Sequence, residues 1–457
     1  MSQMNDRNYM LANEKVSKVL MKLSLPATIG MIVNALYNVV DTIFIGRGVG
    51  PMAIGGLAIA FPIQMFIMAI AQMIGIGAAS MISRSLGAGD VEKADNTAGN
   101  AYISIIAIAI VTVLIGLRFI DPLLRIFGAS DVLLPYAKEY MQVIFGGSVF
   151  FMFAVASNNL IRAEGNAFIA MVSMIIGTGL NIILDPIFIF TLDMGIRGAA
   201  LATIISQFMS FAFVMAYIYS GKSQLKVKPH HLKPNKAIMT EIFTVGAPAF
   251  ARQVGSSALA IVLNNSLGYY GGDVAITIFG MINRLIMFIF MPLFGVVQGF
   301  QPIAGFNYGA KNFGRVREAI FISIKYSTIY TIAGWAIAET FAPSLLGIFT
   351  SDISVVTQGI PVLRVVVLAI PVIGIQIISS SVFQAFGKAK PAMVLSLLRQ
   401  FLLLIPMLLI FPRFFGIWGI WYAFPLSDFL STMVTLVMIR KELHELKNLQ
   451  KRSEVAI

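Results

Sequence analysis

Long apolar runs constrain this chain more than any other feature. Twelve of them recur, separated by glycine- and proline-rich breaks such as 46–51, 87–90 and 309–314. Runs of about 20 to 25 residues are long enough for an α-helix to cross roughly 30 Å of hydrocarbon. Inside a bilayer every backbone amide needs a partner, so only helices and closed barrels span it. The runs are continuous rather than alternating, which selects helices over a barrel. Only 12% of the residues are charged, about half the share usual in soluble proteins.

The predicted spans are 20–46, 53–82, 94–117, 134–157, 166–190, 198–220, 239–268, 274–306, 315–338, 356–381, 390–411 and 416–439. The polar start, Met1 to Asn13, and an apolar run that continues past Leu25 predict no cleavable leader. Loop Lys and Arg sort by side. Twenty-two, from Arg7 through the Lys222–Lys236 cluster to Arg452, fall on the side of the chain ends. Six, Arg47, Arg118, Arg125, Lys138, Arg197 and Arg413, fall on the other. This places both termini in the cytoplasm of an inner-membrane, multi-pass protein. The same loop charges account for the net charge of +12 without a nucleic-acid partner. With no cysteine, thiolate metal sites and disulfides are excluded. His230, His231 and His444 fall in loops or tails, so no histidine site is expected within the membrane.

The chain resembles itself at an offset of about 222. Pro26 pairs with Pro248, Gly46 with Gly268, Gly87-Ala88 with Gly309-Ala310, and Ala163–Ala167 with Ala385–Ala389. Six spans lie in each copy, so both copies enter from the same side. The predicted fold is an all-α membrane protein: twelve transmembrane helices in two six-helix lobes related by a pseudo-twofold along the membrane normal. The expected division is a first lobe at 1–221, a cytoplasmic basic linker at 222–238, a second lobe at 239–441 and a cytoplasmic tail at 442–457. Duplication can simply build a stable bundle, but two lobes flanking a cavity are also a common basis for alternating access.

Ionisable groups at membrane depth cost about 2.5–3.5 kcal/mol on insertion scales and are functional candidates. The acids are Asp41, Asp185, Asp428 and, at a helix end, Glu339. Asp428 has no partner recognisable in the sequence. Asn34, Asn38 and Asp41 share one helix face, as do Gly177, Asn181 and Asp185, and Thr203 with Gln207. Within a helix, Pro186 would leave the Ile182 carbonyl without its donor and free to bind a cation. Asp41 and Asp185 each lie about five residues before the outer end of a span, and Thr203 about five after an outer start. At about 1.5 Å per residue all three sit roughly 7–8 Å below the outer boundary. An all-oxygen set of this kind suits a hard cation. Two carboxylates so close need a bound positive charge, so a proton can replace the metal ion. Asp41, Asn181, Asp185 and Thr203 are therefore the candidate cation or proton site, with Na⁺ as a candidate metal. The competing reading is interhelical hydrogen bonding alone.

At offset 222 Asp41 falls on Leu263 and Asn181 on Leu403, so coupling is expected in the first lobe only. The second lobe carries bases instead, which would favour anionic or neutral solutes. Candidate cavity residues are Asn34, Tyr37, Asn38, Gln64, Asn158 and Gln207 in the first half. Arg252, Gln253, Arg284 and Arg399 are those in the second. The 25 Met and 35 Phe suit adaptable apolar walls.

Several segments together resemble the multidrug and toxic compound extrusion (MATE) family over nearly the whole chain. They are Leu25-Pro26 with Tyr37–Thr42 and Phe44-Ile45-Gly46, then Ser83–Gly89, Arg162–Asn166 and Asn181–Pro186. The nearest likeness is to the DinF-like and MepA-like branch. The resemblance implies drug export through a cleft between two lobes, driven by a proton or sodium gradient, with no other cofactor. Asp41, Asn181, Asp185 and Thr203 match that branch's cation and proton site. The NorM-like branch carries acids in its second lobe, where this chain has Arg252 and Gln253 on the seventh span and no acid on the tenth. The expected partners are the bilayer and small organic solutes, with a monomer sufficient for function. A lipid-linked oligosaccharide flippase of the wider superfamily is the alternative, kept open by the basic residues of the second half. A membrane transferase lacks the Asp-x-x-Asp pairs it would need to hold Mg²⁺, and a channel lacks a repeated filter loop.

Overall fold

The structure, a computed structural model, describes residues 2–455 and is helical nearly throughout. The first half comprises α1 (Ser2–Asn13), α2 (Val16–Gly48), α3 (Pro51–Gly87), α4 (Val91–Arg118), the short α5 (Ile120–Ile126), α6 (Leu134–Ala163), α7 (Ala167–Pro186) and α8 (Gly195–Tyr219). In the second half α9 (Lys236–Gly309) breaks at Gly272, φ 62° and ψ −162°, into spans 236–271 and 273–309. After it come α10 (Phe313–Thr340), the short α11 (Ala342–Gly347), and α12 (Ile353–Val367) with α13 (Ile370–Ala385), two halves of one span bent by 43°. Next, α14 (Ala389–Leu397) and α15 (Ile405–Ile410) form one span around a π-helical turn at Leu398–Leu404. The short α16 (Pro412–Phe415) and α17 (Ile417–Val455) complete the chain. The six spans of each half make the two expected lobes.

The duplication is written into the backbone as well as the residues. Positive-φ residues recur at offset 222, Gly50 with Gly272, Gly89 with Lys311 and Gly165 with Gly387, and at offset 221, Gly195 with Gly416. Equivalent caps follow. Asp90 accepts from the Lys93 amide at 3.0 Å to start α4, and Asn312 accepts from the Arg315 amide at 3.2 Å to start α10. Each satisfies amides that a helix start leaves without partners.

With twelve spans both chain ends lie on one face, here called the terminal face; the other is the distal face. Near the terminal face the lobes meet at glycines arranged in reciprocal pairs. A Cβ at Gly87 would overlap the Phe306 carbonyl oxygen, and one at Gly309 would overlap that of Arg84. Gly77 lies equally close to Ile242 and Gly299 to Ser24, while Gly246 abuts Met73 and Gly295 abuts Thr28. The Gly87 and Gly309 contacts are offset-222 images of each other. Ser80 Oγ donates across the lobes to the Gln384 carbonyl at 2.6 Å, and Arg84 Nη2 pairs with Glu241 at 2.7 Å. The helix α1 straps the two lobes together. Arg7 pairs with Glu164 of the first lobe at 3.1 Å, while Asn307 and Arg315 of the second donate to the Leu11 carbonyl at 3.0 and 2.9 Å.

One expectation changes. Arg84 and Arg162 are not loop charges: they occupy the last turns of α3 and α6, and Arg162 is buried. The basic linker does not bridge the lobes freely. The Lys226 amide donates to Asp95 at 2.7 Å, the Asn235 amide to Asn100 at 2.7 Å, and Nε2 of His231 lies 3.0 Å from Glu92, all on α4. The tail from 442 is helix as far as Val455, continuous with the last span, and Lys388 pairs with its Glu442 at 2.7 Å. Past Pro186 the chain continues as a π-helical turn, Ile187–Thr191.

Candidate functional site

Three helices of the first lobe bring the carboxylates together in its distal half. Asp41 lies seven residues before the end of α2, and Asp185 one before the end of α7. Both are buried, with Asp185 at 0% exposure. Their carboxyl groups are close neighbours. The Asn181 amide, turned to satisfy both its ends, donates to Asp185 Oδ2 at 2.8 Å. Its oxygen accepts from Thr203 Oγ1 at 3.2 Å and from the Thr203 amide at 3.1 Å. Asp41 Oδ1 is buried and accepts no hydrogen bond from an N–H or hydroxyl group, with the Asp185 carboxyl as its neighbour. An orphaned carboxylate oxygen at this depth is costly; a proton or a small cation would satisfy it.

Tyr37 and Gln64 belong to the same cluster. Tyr37 lies beside Thr203, and Gln64 beside Tyr140. Tyr140, on α6, also lies beside Thr203 and near both aspartates. The sequence reading missed it, although the depth argument reaches it: Tyr140 is six residues into a span that starts at the distal face.

The remaining candidates are dispersed. Asn34 and Asn38 are exposed on α2, with the Asn38 amide turned onto the Asn34 carbonyl at 2.7 Å. Gln207 lies beside Gly177, outside the acid cluster. Asn158 is buried on α6 with Oδ1 unpaired. Gln253 reaches across to Met65 Sδ at 3.4 Å, and Gln298 to Met31 Sδ at 3.3 Å. With the edge-on pair Phe66 and Phe250, 5.7 Å between centroids, these contacts join the two lobes. Arg252 is half-buried and Arg284 exposed.

Arg399 is not free to line a cavity. It pairs through Nε and Nη2 with Asp428, the partner the sequence did not reveal, and sits over the Phe290 ring at 5.8 Å. Removing one member of a buried pair strands the other charge, at a cost of about 3 kcal/mol. Arg399→Met is therefore expected to lower the thermal unfolding midpoint in detergent, and Asp428→Leu added to it to restore most of the loss. An unchanged midpoint in the single variant would show that the pair contributes nothing.

Two repeated helical lobes, sealed together near one face, with paired acids under the other face of one lobe, define a transporter rather than an enzyme. Residues 26–187 and 248–410 each match the model of the MatE family, and the chain belongs to that family. It is 29% identical to the multidrug export protein MepA of Staphylococcus aureus (strain NCTC 8325 / PS 47) over 435 residues, covering 95% of this chain and 96% of that one. It is 42% identical to the multidrug transporter DinF-BH, solved in complex with a ligand, at a TM-score of 0.87 over 93% of this chain and 95% of that one. A transporter from Pyrococcus furiosus, described as having a binding pocket of reverse polarity suggesting a different function, superposes at 0.90 with 29% identity over 96% and 98%.

Proposed function

We propose that the protein is a secondary active multidrug antiporter. It exports organic solutes in exchange for protons, with a sodium ion as the competing coupling ion. The terminal face is cytoplasmic, the membrane is the inner membrane, and one two-lobed copy suffices. The observation that carries this reading is the Asp41–Asp185 pair with its orphaned oxygen. With the Asn181 nitrogen turned to Asp185, a proton held between the two carboxyls would complete the hydrogen bonding. Holding sodium would require Asn181 to turn its oxygen inward, making an all-oxygen set. Arg252 and Arg284 leave the second lobe basic enough for neutral or anionic solutes. Withdrawal of Arg399 into an ion pair weakens the flippase reading, which needs a strongly basic cavity.

The test is solute transport in reconstituted vesicles with pH and sodium gradients imposed separately. The expected result is solute movement driven by the pH gradient alone. Movement under sodium alone would assign the other ion, and movement under neither would overturn antiport.

A further inference from the structure

Arg162, in the last turn of α6, is only 8% exposed, and no carboxylate pairs with it among the described residues. Its hydrogen bond runs from Nη2 to the Asn159 amide oxygen at 3.1 Å. The nearby acid, Glu164, is already engaged by Arg7, Tyr217, Ser223 and the Gln224 amide. Arg162 instead lines a small, partly open cavity of about 20 Å³ between the lobes. Ser80, Ser83 and Asn159 line it from the first lobe, Gln298 and Gln301 from the second, and no acid does. Beside it, Gln384 Nε2 is buried without an acceptor. Gln384 is the offset-222 equivalent of Arg162, so the cavity lies where the pseudo-twofold passes between the lobes.

A buried cation without a counter-charge is penalised by several kcal/mol, and an amide oxygen does not neutralise it. The cavity is small and, Arg162 apart, lined by neutral polar and apolar groups, which suits a small monovalent anion. We infer that it is a halide site: a chloride ion held by Arg162 neutralises the guanidinium and closes the lobes over itself. Opening the terminal face separates Arg162 from Gln298 and Gln301 and frees the ion, so halide stabilises the closed state by mass action.

Two measurements test this. The first is thermal unfolding of the purified protein as sodium gluconate is replaced by sodium bromide at constant ionic strength. The midpoint should rise saturably in the wild type and stay flat in Arg162→Gln. The second, on the wild type alone, is bromide anomalous scattering, which should give a peak within hydrogen-bonding reach of the Arg162 guanidinium. No saturable rise, an equal rise in Arg162→Gln, or a cavity holding only water in bromide-grown crystals would each overturn the proposal.

Discussion

Asp41→Asn should abolish gradient-driven export while leaving the fold and solute binding in place. The substitution keeps the side chain's shape and mimics the protonated carboxyl, so Asp185 keeps a hydrogen-bonding neighbour. What disappears is the exchangeable proton. One charge crossing 100 mV carries about 2.3 kcal/mol, enough to hold a solute gradient of roughly fiftyfold. The variant should sustain none of it, yet still exchange labelled for unlabelled solute without a gradient. Efflux from energised vesicles at the wild-type rate would remove Asp41 from the coupling mechanism. Loss of exchange as well would mean that the residue serves binding rather than coupling.

The architecture was legible because its determinants are local or periodic. Run length set the spans, and the offset of 222 set the lobes. The acid cluster was legible for a related reason: counting residues from a span end measures depth, and Asp41, Asp185 and Thr203 share one. What stayed hidden depends on partners far apart in sequence. Arg399 and Asp428 are 29 residues apart, on different spans, and either could have faced lipid, cavity or the other. Arg162 and Arg84 counted as loop charges because a positional sum of basic residues cannot distinguish a solvated side chain from one closed between lobes. Glu164 met Arg7 across 157 residues, through a helix the polar start did not announce. Tyr140 was overlooked because a tyrosine within an apolar span looks like packing until its hydroxyl is placed beside Thr203.

The glycines of the seal carry the second large effect, since they permit one conformation and are indifferent to the other. A Cβ at Gly309 would lie 2.7 Å from the Arg84 carbonyl carbon, a backbone atom that cannot turn aside. Gly309→Ala therefore strains only the state closed at the terminal face. Overpacking costs about 1–3 kcal/mol, which multiplies the open-to-closed ratio by roughly 5 to 150. Alternating access needs both states, so transport should fall by a comparable factor while the protein still folds. The native chain lacks cysteine, so Lys93→Cys with Lys390→Cys gives one spin-label pair across the lobes without background. The labels should move apart in Gly309→Ala. They should stay in place in Gly280→Ala, where an added Cβ meets nothing within 4 Å. An unchanged distance with full transport would mean that the lobes close without this backbone approach. The reciprocal contact of Gly87 with Phe306 predicts the same outcome from the other lobe, so Gly87→Ala must behave alike if the pseudo-twofold governs closure.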